Sequence, residues 1–124
     1  MEAKELMIGD KVMVKVLSQI SDTYVLHTWT ANDYSRDIQV KPIPLTAEIL
    51  EKNGFVFDCD FWTIANPRYN NVRMVRYCSI DEDATDAFLG HWAFDENYAI
   101  DFVHELQHAL RLCGLNEIAD NFKV

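Results

Sequence analysis

Apolar and polar positions alternate along the first third of the chain in a way that predicts three strands. Lys11–Val16 places a valine at every second position, which is the two-residue period of a half-buried strand. Tyr24–Thr30 is rich in aromatic and β-branched residues and predicts a second strand. Asp37–Ile43 predicts a third, which ends at the prolines Pro42 and Pro44. Together these segments predict an antiparallel sheet at the N-terminal end.

The middle of the chain predicts further strands. Phe55–Ala65 and Val72–Ile80 are dense in apolar and aromatic residues, and a polar turn at Asn66–Asn71 joins them. Phe88–Phe94 predicts one more strand, which follows an acidic loop at Ser79–Asp86. These segments predict a second antiparallel sheet.

Two helices interrupt and follow the strands. Leu45–Lys52 predicts a short helix, with Thr46 as its N-cap and Gly54 just beyond its end. Tyr98–Cys113 has the strongest helical pattern in the chain and predicts an amphipathic helix. We expect the tail, Leu115–Val124, to add one more helical turn.

Runs of strands separated by helices, with no regular alternation, predict an α+β fold. The chain has 124 residues, of which 49% are apolar and 12% aromatic, so we expect a single domain over residues 1–124 with its own core. The opening segment Glu5–Lys15 resembles the first strand of small Src-homology-type barrels, in which a Gly-Asp turn leads into a β-branched strand. That resemblance implies a barrel-like N-terminal sheet.

The charge balance narrows the classes of partner. The chain carries 11 Lys and Arg against 20 Asp and Glu, a formal charge of −9. We expect no direct binding to nucleic acid and no membrane association, because both depend on basic side chains. Residues 1–52 hold 6 basic and 8 acidic side chains, and residues 53–124 hold 5 and 12. The acidity therefore belongs to the second half, and it raises the hypothesis of an acidic DNA mimic that blocks a DNA-binding enzyme.

The cysteines and the N-terminus favour a cytoplasmic protein. Cys59, Cys78 and Cys113 are an odd number at wide spacing, which fits neither a disulfide framework nor a metal site. We expect reduced, mostly buried thiols. The N-terminus has no apolar run of signal-peptide length, and no stretch approaches the roughly 18 apolar residues that span a bilayer.

One short motif carries the chemistry of an enzyme. The segment His104-Glu105-Leu106-Gln107-His108 matches HExxH, which on a helix places two imidazoles one turn apart on one face. Such a pair binds zinc, and Glu105 would then serve as general base for a metal-bound water. Asp101 lies three residues before His104 and would be a third ligand. This set is the basis of the alternative hypothesis, a zinc-dependent hydrolase.

The residues that follow the motif do not complete a known zinc pattern. The long zincin pattern has Gly at the third residue after the second His and a third His three residues later, and here those positions hold Arg111 and Gly114. Glu117 and Asp120 are the remaining downstream carboxylates. Asp101 is not the usual third ligand of a zincin.

The helical pattern argues against the same site. At about 100° per residue, Val103, Leu106 and Leu110 form the apolar stripe, while His104 and His108 lie on the opposite side. We therefore expect both histidines to face water, where a catalytic zinc would lack a shielded cleft. The sequence favours no catalytic residue, no metal ligand and no cofactor.

Three short segments together resemble a known family. They are the opening Lys4–Val12, the stretch Pro42–Phe55 that begins PIPLT and ends NGF, and Val103–Gln107 with the Ala-Leu that follows. In this order they resemble small uncharacterised proteins encoded by phages and mobile elements of anaerobic gut bacteria. The family's helix has His-x-Leu-Gln followed by Asn and serves packing. The resemblance implies an accessory protein without established activity, in which His108 completes HExxH by coincidence.

These observations predict a non-enzymatic accessory protein that acts by protein–protein contact, with a protein partner or by self-association. A sheet edge or the aromatic-rich middle segment is the expected contact surface. The zinc hydrolase and the acidic DNA mimic are the two alternatives.

Overall fold

Two antiparallel sheets account for the strands of the computed structural model, which describes residues 1, 3–16, 23–59, 61–66, 71–77, 90–95 and 98–124. The first sheet consists of β1 (Lys11–Val16), β2 (Val25–Thr28) and β3 (Ile38–Lys41). Strand β1 lies in the middle and pairs with both others. Its valines Val12 and Val14 are buried, as the two-residue period predicts.

The second sheet has five strands, each beside its neighbour in sequence. They are β4 (Val56–Asp58), β5 (Phe61–Asn66), β6 (Asn71–Tyr77), β7 (Trp92–Phe94) and β8 (Tyr98–Ala99). The order leaves β4 and β8 at the two edges of the described sheet. A tight turn at Cys59, with φ of 50°, separates β4 from β5.

In the part of the chain that the structure describes, three α-helices accompany the sheets: α1 (Ala47–Lys52), α2 (Val103–Leu112) and α3 (Asn116–Asp120). The Thr46 hydroxyl accepts a hydrogen bond from Ile49 N at 3.3 Å and caps α1. Short 3-10 helices lie at Ala3–Glu5 and Ala31–Ser35.

One row of side chains crosses all five strands of the second sheet. Strand register places Phe57 opposite Trp62, Trp62 opposite Val75, Val75 opposite Phe94, and Phe94 opposite Tyr98. Val75 and Phe94 in the middle are buried, whereas Phe57 and Tyr98 at the two ends are exposed. The core therefore fills the centre of this row and stops short of both edges.

The main core lies where the helices pack on the five-stranded sheet. Its residues come from α1, the sheet, α2, the C-terminal tail and the segments that connect these elements. They are Ile43, Leu45, Ile49, Leu50, Phe55, Ile64, Val75, Phe94, Ile100, Val103, Leu106, Ala109, Leu110, Leu115, Ala119 and Phe122. A smaller cluster lies in the N-terminal sheet around Trp29, together with Leu6, Val12 and Val14. The described residues therefore form two apolar clusters.

The predicted α+β class is confirmed, with changes at element boundaries. The C-terminal helix begins at Val103 rather than Tyr98, because Tyr98–Ala99 pair with β7 as a strand. Phe55–Ala65 contains two strands and a turn instead of one strand. The implied barrel is not formed by the described residues, whose sheets remain open.

The structure also tests the expectations for the C-terminal tail and for the cysteines. The tail contains the predicted turn as α3, and Ala119 and Phe122 are buried. Cys59 is exposed, so the expectation of mostly buried thiols is wrong at that position, whereas Cys113 is half-buried. The acidic loop at 79–86, Cys78 and residues 67–70 of the predicted turn lie outside the described residues.

Candidate functional site

The polar face of α2 is not the water-facing surface that its amphipathic pattern predicts. His104 is only 6% exposed and Gln107 is fully buried, while Leu112 of the same helix is 85% exposed. The expectation that both histidines face solvent is therefore wrong for His104. The physical reason is a second covering layer: the segment that leads into β1 lies against the polar side of the helix.

Asp10 is the centre of that contact. Its carboxylate is fully buried, and it accepts a hydrogen bond from His108 Nε2 at 2.6 Å and one from Arg111 Nη1 at 2.7 Å. Met7 N donates to the same carboxylate at 2.8 Å. Burial alone would raise the pKa of Asp10, but these three hydrogen bonds outweigh it and lower the pKa. The carboxylate is therefore ionised and pairs with Arg111 inside the protein.

The turn before Asp10 is shaped by glycine. Gly9 has φ of +96°, and a β-carbon there would lie 2.9 Å from Arg111 Nη2. Gly9 N donates to Trp29 O at 2.8 Å, which fixes the turn against the smaller core. Only glycine combines this backbone conformation with so close an approach of the guanidinium.

Gln107, in the middle of the motif, joins three parts of the chain. Its Oε1 accepts from Lys11 N at 2.8 Å, and its Nε2 donates to Gly9 O at 3.0 Å and to Ala119 O at 2.8 Å. One buried amide thus satisfies backbone groups at the start of β1 and at the end of α3. This residue serves assembly of the fold.

His104 has a different environment from His108. Its ring stacks on Phe102 with centroids 6.1 Å apart and meets His108 edge-on at 5.7 Å. Its Nδ1 is buried and has no hydrogen-bond partner among the described residues. Burial lowers the pKa of His104, although the charge of Asp10 opposes that shift. The imidazole is therefore neutral near pH 7.

Glu105 and Asp101 are not directed at a shared metal position. Glu105 Oε1 accepts from Phe102 N at 3.1 Å and caps the start of α2, and burial raises the pKa of this carboxyl. Asp101 accepts from His91 Nδ1 at 2.6 Å and from Trp92 N at 3.2 Å. The backbone is extended at Phe102, the N-cap of α2, so Asp101 lies outside the helix. Helical spacing therefore does not align Asp101 with the two histidines.

The part of the chain that the structure describes contains no group of three or more His, Cys, Asp or Glu side chains placed to hold a metal ion. Of the sequence-derived set, the structure brings His104 and His108 together, and it uses His108 Nε2 to bind Asp10. It does not bring Asp101 to them. The polar face of α2 therefore acts as a docking surface for the N-terminal segment.

Sequence reasoning missed Asp10, Gln107 and Arg111 as partners. The sequence indicates only that Asp10 belongs to a turn, and 101 positions separate it from Arg111. One signal was present: residues 104, 107, 108 and 111 follow helical spacing and carry imidazole, amide and guanidinium groups. A solvent-facing stripe is more often built from Lys and Glu.

A second surface lies at the edge strand β4. Val56 and Phe57 are 63% and 57% exposed, and Phe57 packs against the Trp62 ring at 5.3 Å. Asp58, the last residue of β4, is also exposed. Among the described residues, β4 pairs with one strand only, β5.

Comparison of this chain with protein-family models, with curated proteins and with solved structures finds no match. Within the described residues, no helix is long and apolar enough to cross a membrane. The acidic positions 81–86, on which the DNA-mimic hypothesis partly depends, lie outside the described residues.

Proposed function

We propose that this chain is a small cytoplasmic accessory protein, of the phage or mobile-element type that its resemblance implies, and that it acts by binding another protein. The observation that carries the proposal is the exposed apolar edge strand β4, where Phe57 is one exposed end of a row of side chains that is buried at its centre. Large apolar side chains on an unpaired strand edge are unfavourable unless something covers them.

The geometry of β4 favours addition of a strand. An edge strand directs part of its backbone N–H and C=O groups away from the sheet, where an extended segment can pair with them. The added strand would place one side chain directly opposite Phe57 and continue the row that runs through Trp62. The partner segment is therefore extended, with an apolar residue at that position.

The charge of the chain favours a different protein over a second copy. Antiparallel self-pairing centred on Phe57 would set Asp58 opposite Val56 of the other copy and bring together two chains of −9 each. A segment with a basic residue opposite Asp58 would instead gain a cross-strand ion pair. We therefore assign the edge to a basic, extended segment of a partner protein.

Site-specific photo-crosslinking tests this proposal. The photoreactive residue p-benzoylphenylalanine is introduced at position 57 and, as a matched control, at position 26 of β2, where Leu26 is similarly exposed. In the cell that naturally carries the gene, we expect one adduct of defined mass from position 57 and none from position 26. Equal adducts from both positions, or an adduct of two copies of this chain, would contradict the assignment.

A second measurement uses the captured partner. Phe57→Lys is expected to weaken its binding about tenfold, whereas Leu26→Lys adds the same charge and leaves binding unchanged. Thermal unfolding of both variants checks that each remains folded. Binding that Phe57→Lys leaves intact but that salt abolishes would instead favour the acidic DNA mimic.

A further inference from the structure

The C-terminal tail is attached to the end of α1 through one side chain, that of Asn53. Asn53 Nδ2 donates a hydrogen bond to Ile49 O at 2.8 Å and another to Lys123 O at 2.8 Å. Asn53 Oδ1 accepts a hydrogen bond from Lys123 N at 2.8 Å. The side-chain amide therefore pairs with both backbone groups of Lys123, which is 70 positions away, as the backbone of a neighbouring strand would.

Asn53 precedes Gly54, and this is the single Asn-Gly pair in the sequence. In such a pair the glycine nitrogen can attack the asparagine amide carbon Cγ, because no glycine side chain hinders the approach. A bond forms between Gly54 N and Asn53 Cγ, the Cγ–Nδ2 bond breaks, and ammonia leaves with the proton of Gly54 N. Water then opens the five-membered imide at either carbonyl, which produces aspartate or isoaspartate at position 53.

The folded backbone holds this pair in an unreactive geometry. Ring closure needs Gly54 N on the same side of the Cα–C bond as Asn53 Cβ, which corresponds to ψ of roughly −120° at Asn53. The observed ψ is 15°, and Gly54 N donates to Glu51 O at 3.2 Å. Rotation of ψ moves the side chain relative to Gly54, and the hydrogen bonds to Lys123 oppose that movement. Attack therefore requires release of the tail.

Water has access to the turn that contains this pair. Gly54 is exposed, and Asn53, Gly54 and Lys123 line a solvent-open cleft of about 420 Å³. Hydrolysis of the imide is therefore not restricted by burial, and the conformation of the backbone sets the rate of the modification.

We propose that Asn53 is a site of spontaneous deamidation that the attached C-terminal tail keeps unreactive, and that the modification makes release of the tail permanent. Aspartate or isoaspartate at position 53 has no side-chain N–H to donate, so the Ile49 and Lys123 carbonyl oxygens lose their partner. Phe122, next to Lys123, is buried in the main core, so release of the tail uncovers apolar surface. This inference is independent of the edge strand β4.

Peptide mass spectrometry of the full chain, incubated at about pH 8, measures deamidation at Asn53. We expect the native chain to react at least about tenfold more slowly than the same chain unfolded in guanidinium chloride. Lys123→Pro removes the N–H that Asn53 Oδ1 accepts and should speed the native reaction about fivefold, which corresponds to the loss of one hydrogen bond. Lys123→Ala keeps both backbone groups and should leave the rate unchanged. Circular dichroism checks that both variants are folded.

Digestion by carboxypeptidase tests whether the modification releases the tail. Asn53→Asp places the product carboxylate at the same position and should speed removal of the C-terminal residues about threefold or more. Asn32→Asp makes the same charge change at an exposed asparagine and should leave the digestion rate unchanged.

The outcomes that would overturn the inference are distinct. Equal deamidation of the native and unfolded chains, or none in the unfolded chain, would show that the fold does not restrain a reactive pair. Equal rates in Lys123→Pro and Lys123→Ala would show that the tail is not the restraint. Equal digestion of Asn53→Asp and Asn32→Asp would show that the modification does not release the tail.

Discussion

At the residue scale, the two histidines His104 and His108 lie one helical turn apart on α2 but have different environments. His108 binds the Asp10 carboxylate and remains partly exposed, whereas His104 is buried with Nδ1 unpartnered among the described residues. Burying an imidazole without a hydrogen bond disfavours its charged form. His104 is therefore a group whose protonation opposes folding.

This environment predicts a pH dependence of stability. Because burial lowers the pKa of His104 in the folded state, the unfolded chain binds a proton first as the pH falls through about 6.5. The free energy of unfolding should then decrease between pH 7 and pH 5, by at most about 1.4 kcal/mol per pH unit from this residue. His104→Leu should make that decrease shallower, as measured by urea unfolding at several pH values.

Other groups titrate in different directions or ranges and can be separated. Asp33, whose carboxylate is hydrogen-bonded to His27 and Arg36, has a lowered pKa as Asp10 does, so the contributions of both carboxylates are lost only as the pH falls below about 4. The raised pKa of Glu105 acts in the opposite sense, because its contribution is lost as the pH rises above about 4.5. Leu112→Ala, at an exposed apolar position of α2 that carries no titratable group, is the control and should retain the wild-type slope. An unchanged slope in His104→Leu would refute the prediction.

At the element scale, the turn that leads into β1 joins the N-terminal sheet to helix α2. Because Gly9 has no side chain, the backbone can lie close to the Arg111 guanidinium. This places Asp10 at the polar face of α2. The helix contributes side chains that can bind this turn, and the turn contributes backbone groups to Gln107. Each element therefore satisfies the polar groups of the other.

Two glycine substitutions distinguish the cost of backbone strain from the cost of displacing the Arg111 guanidinium. Gly9 and Gly54 have similar positive φ values, +96° and +85°, but a β-carbon meets Arg111 Nη2 at Gly9 and nothing within 4 Å at Gly54. Gly54→Ala should cost about 1 kcal/mol from strain alone, and Gly9→Ala about 2–3 kcal/mol because the guanidinium must also move. Chemical unfolding measures both. Equal losses would show that the close approach to Arg111 does not matter.

At the scale of the whole molecule, the two apolar clusters are joined by polar contacts as well as packing. Asp10 in the N-terminal segment and Arg111 in α2 form a buried ion pair, and Gln107 adds two hydrogen bonds to the same junction, with Lys11 N and Gly9 O. Polar junctions of this kind are directional, so they fix one orientation of the N-terminal sheet on the helix.

Asp10→Asn tests the junction with almost no change of volume. The substitution removes the buried carboxylate that pairs with Arg111 at 2.7 Å and leaves, among the described residues, only the exposed Asp120, at 3.4 Å, as its ionised partner, so the expected loss is about 3 kcal/mol of unfolding free energy. Asp37→Asn, at an exposed carboxyl, is the matched control and should change stability by less than about 0.5 kcal/mol. A loss for Asp10→Asn no larger than the control would show that the pair adds nothing to folding.

The periodicity of the sequence predicts where the helices and strands lie, but it predicts less well which of them are in contact. The valine alternation of β1 and the cap at Thr46 depend on neighbouring residues, and both are found where expected. The boundary between β4 and β5 was missed because the positive φ at Cys59 has no sequence signal of the kind that glycine gives. Tyr98–Ala99 are a strand because β7 is available to pair with them.

The HELQH motif separates what the sequence by itself determined from what only the tertiary structure decided. Local spacing determined that His104 and His108 would lie near each other on α2, and that Val103, Leu106 and Leu110 would face the core. Amphipathicity identifies the apolar side of a helix, but it does not say whether water or another part of the chain covers the polar side. Asp10 is 98 positions from His108, and only folding of the complete chain brings them into contact. That contact makes the motif part of a buried junction.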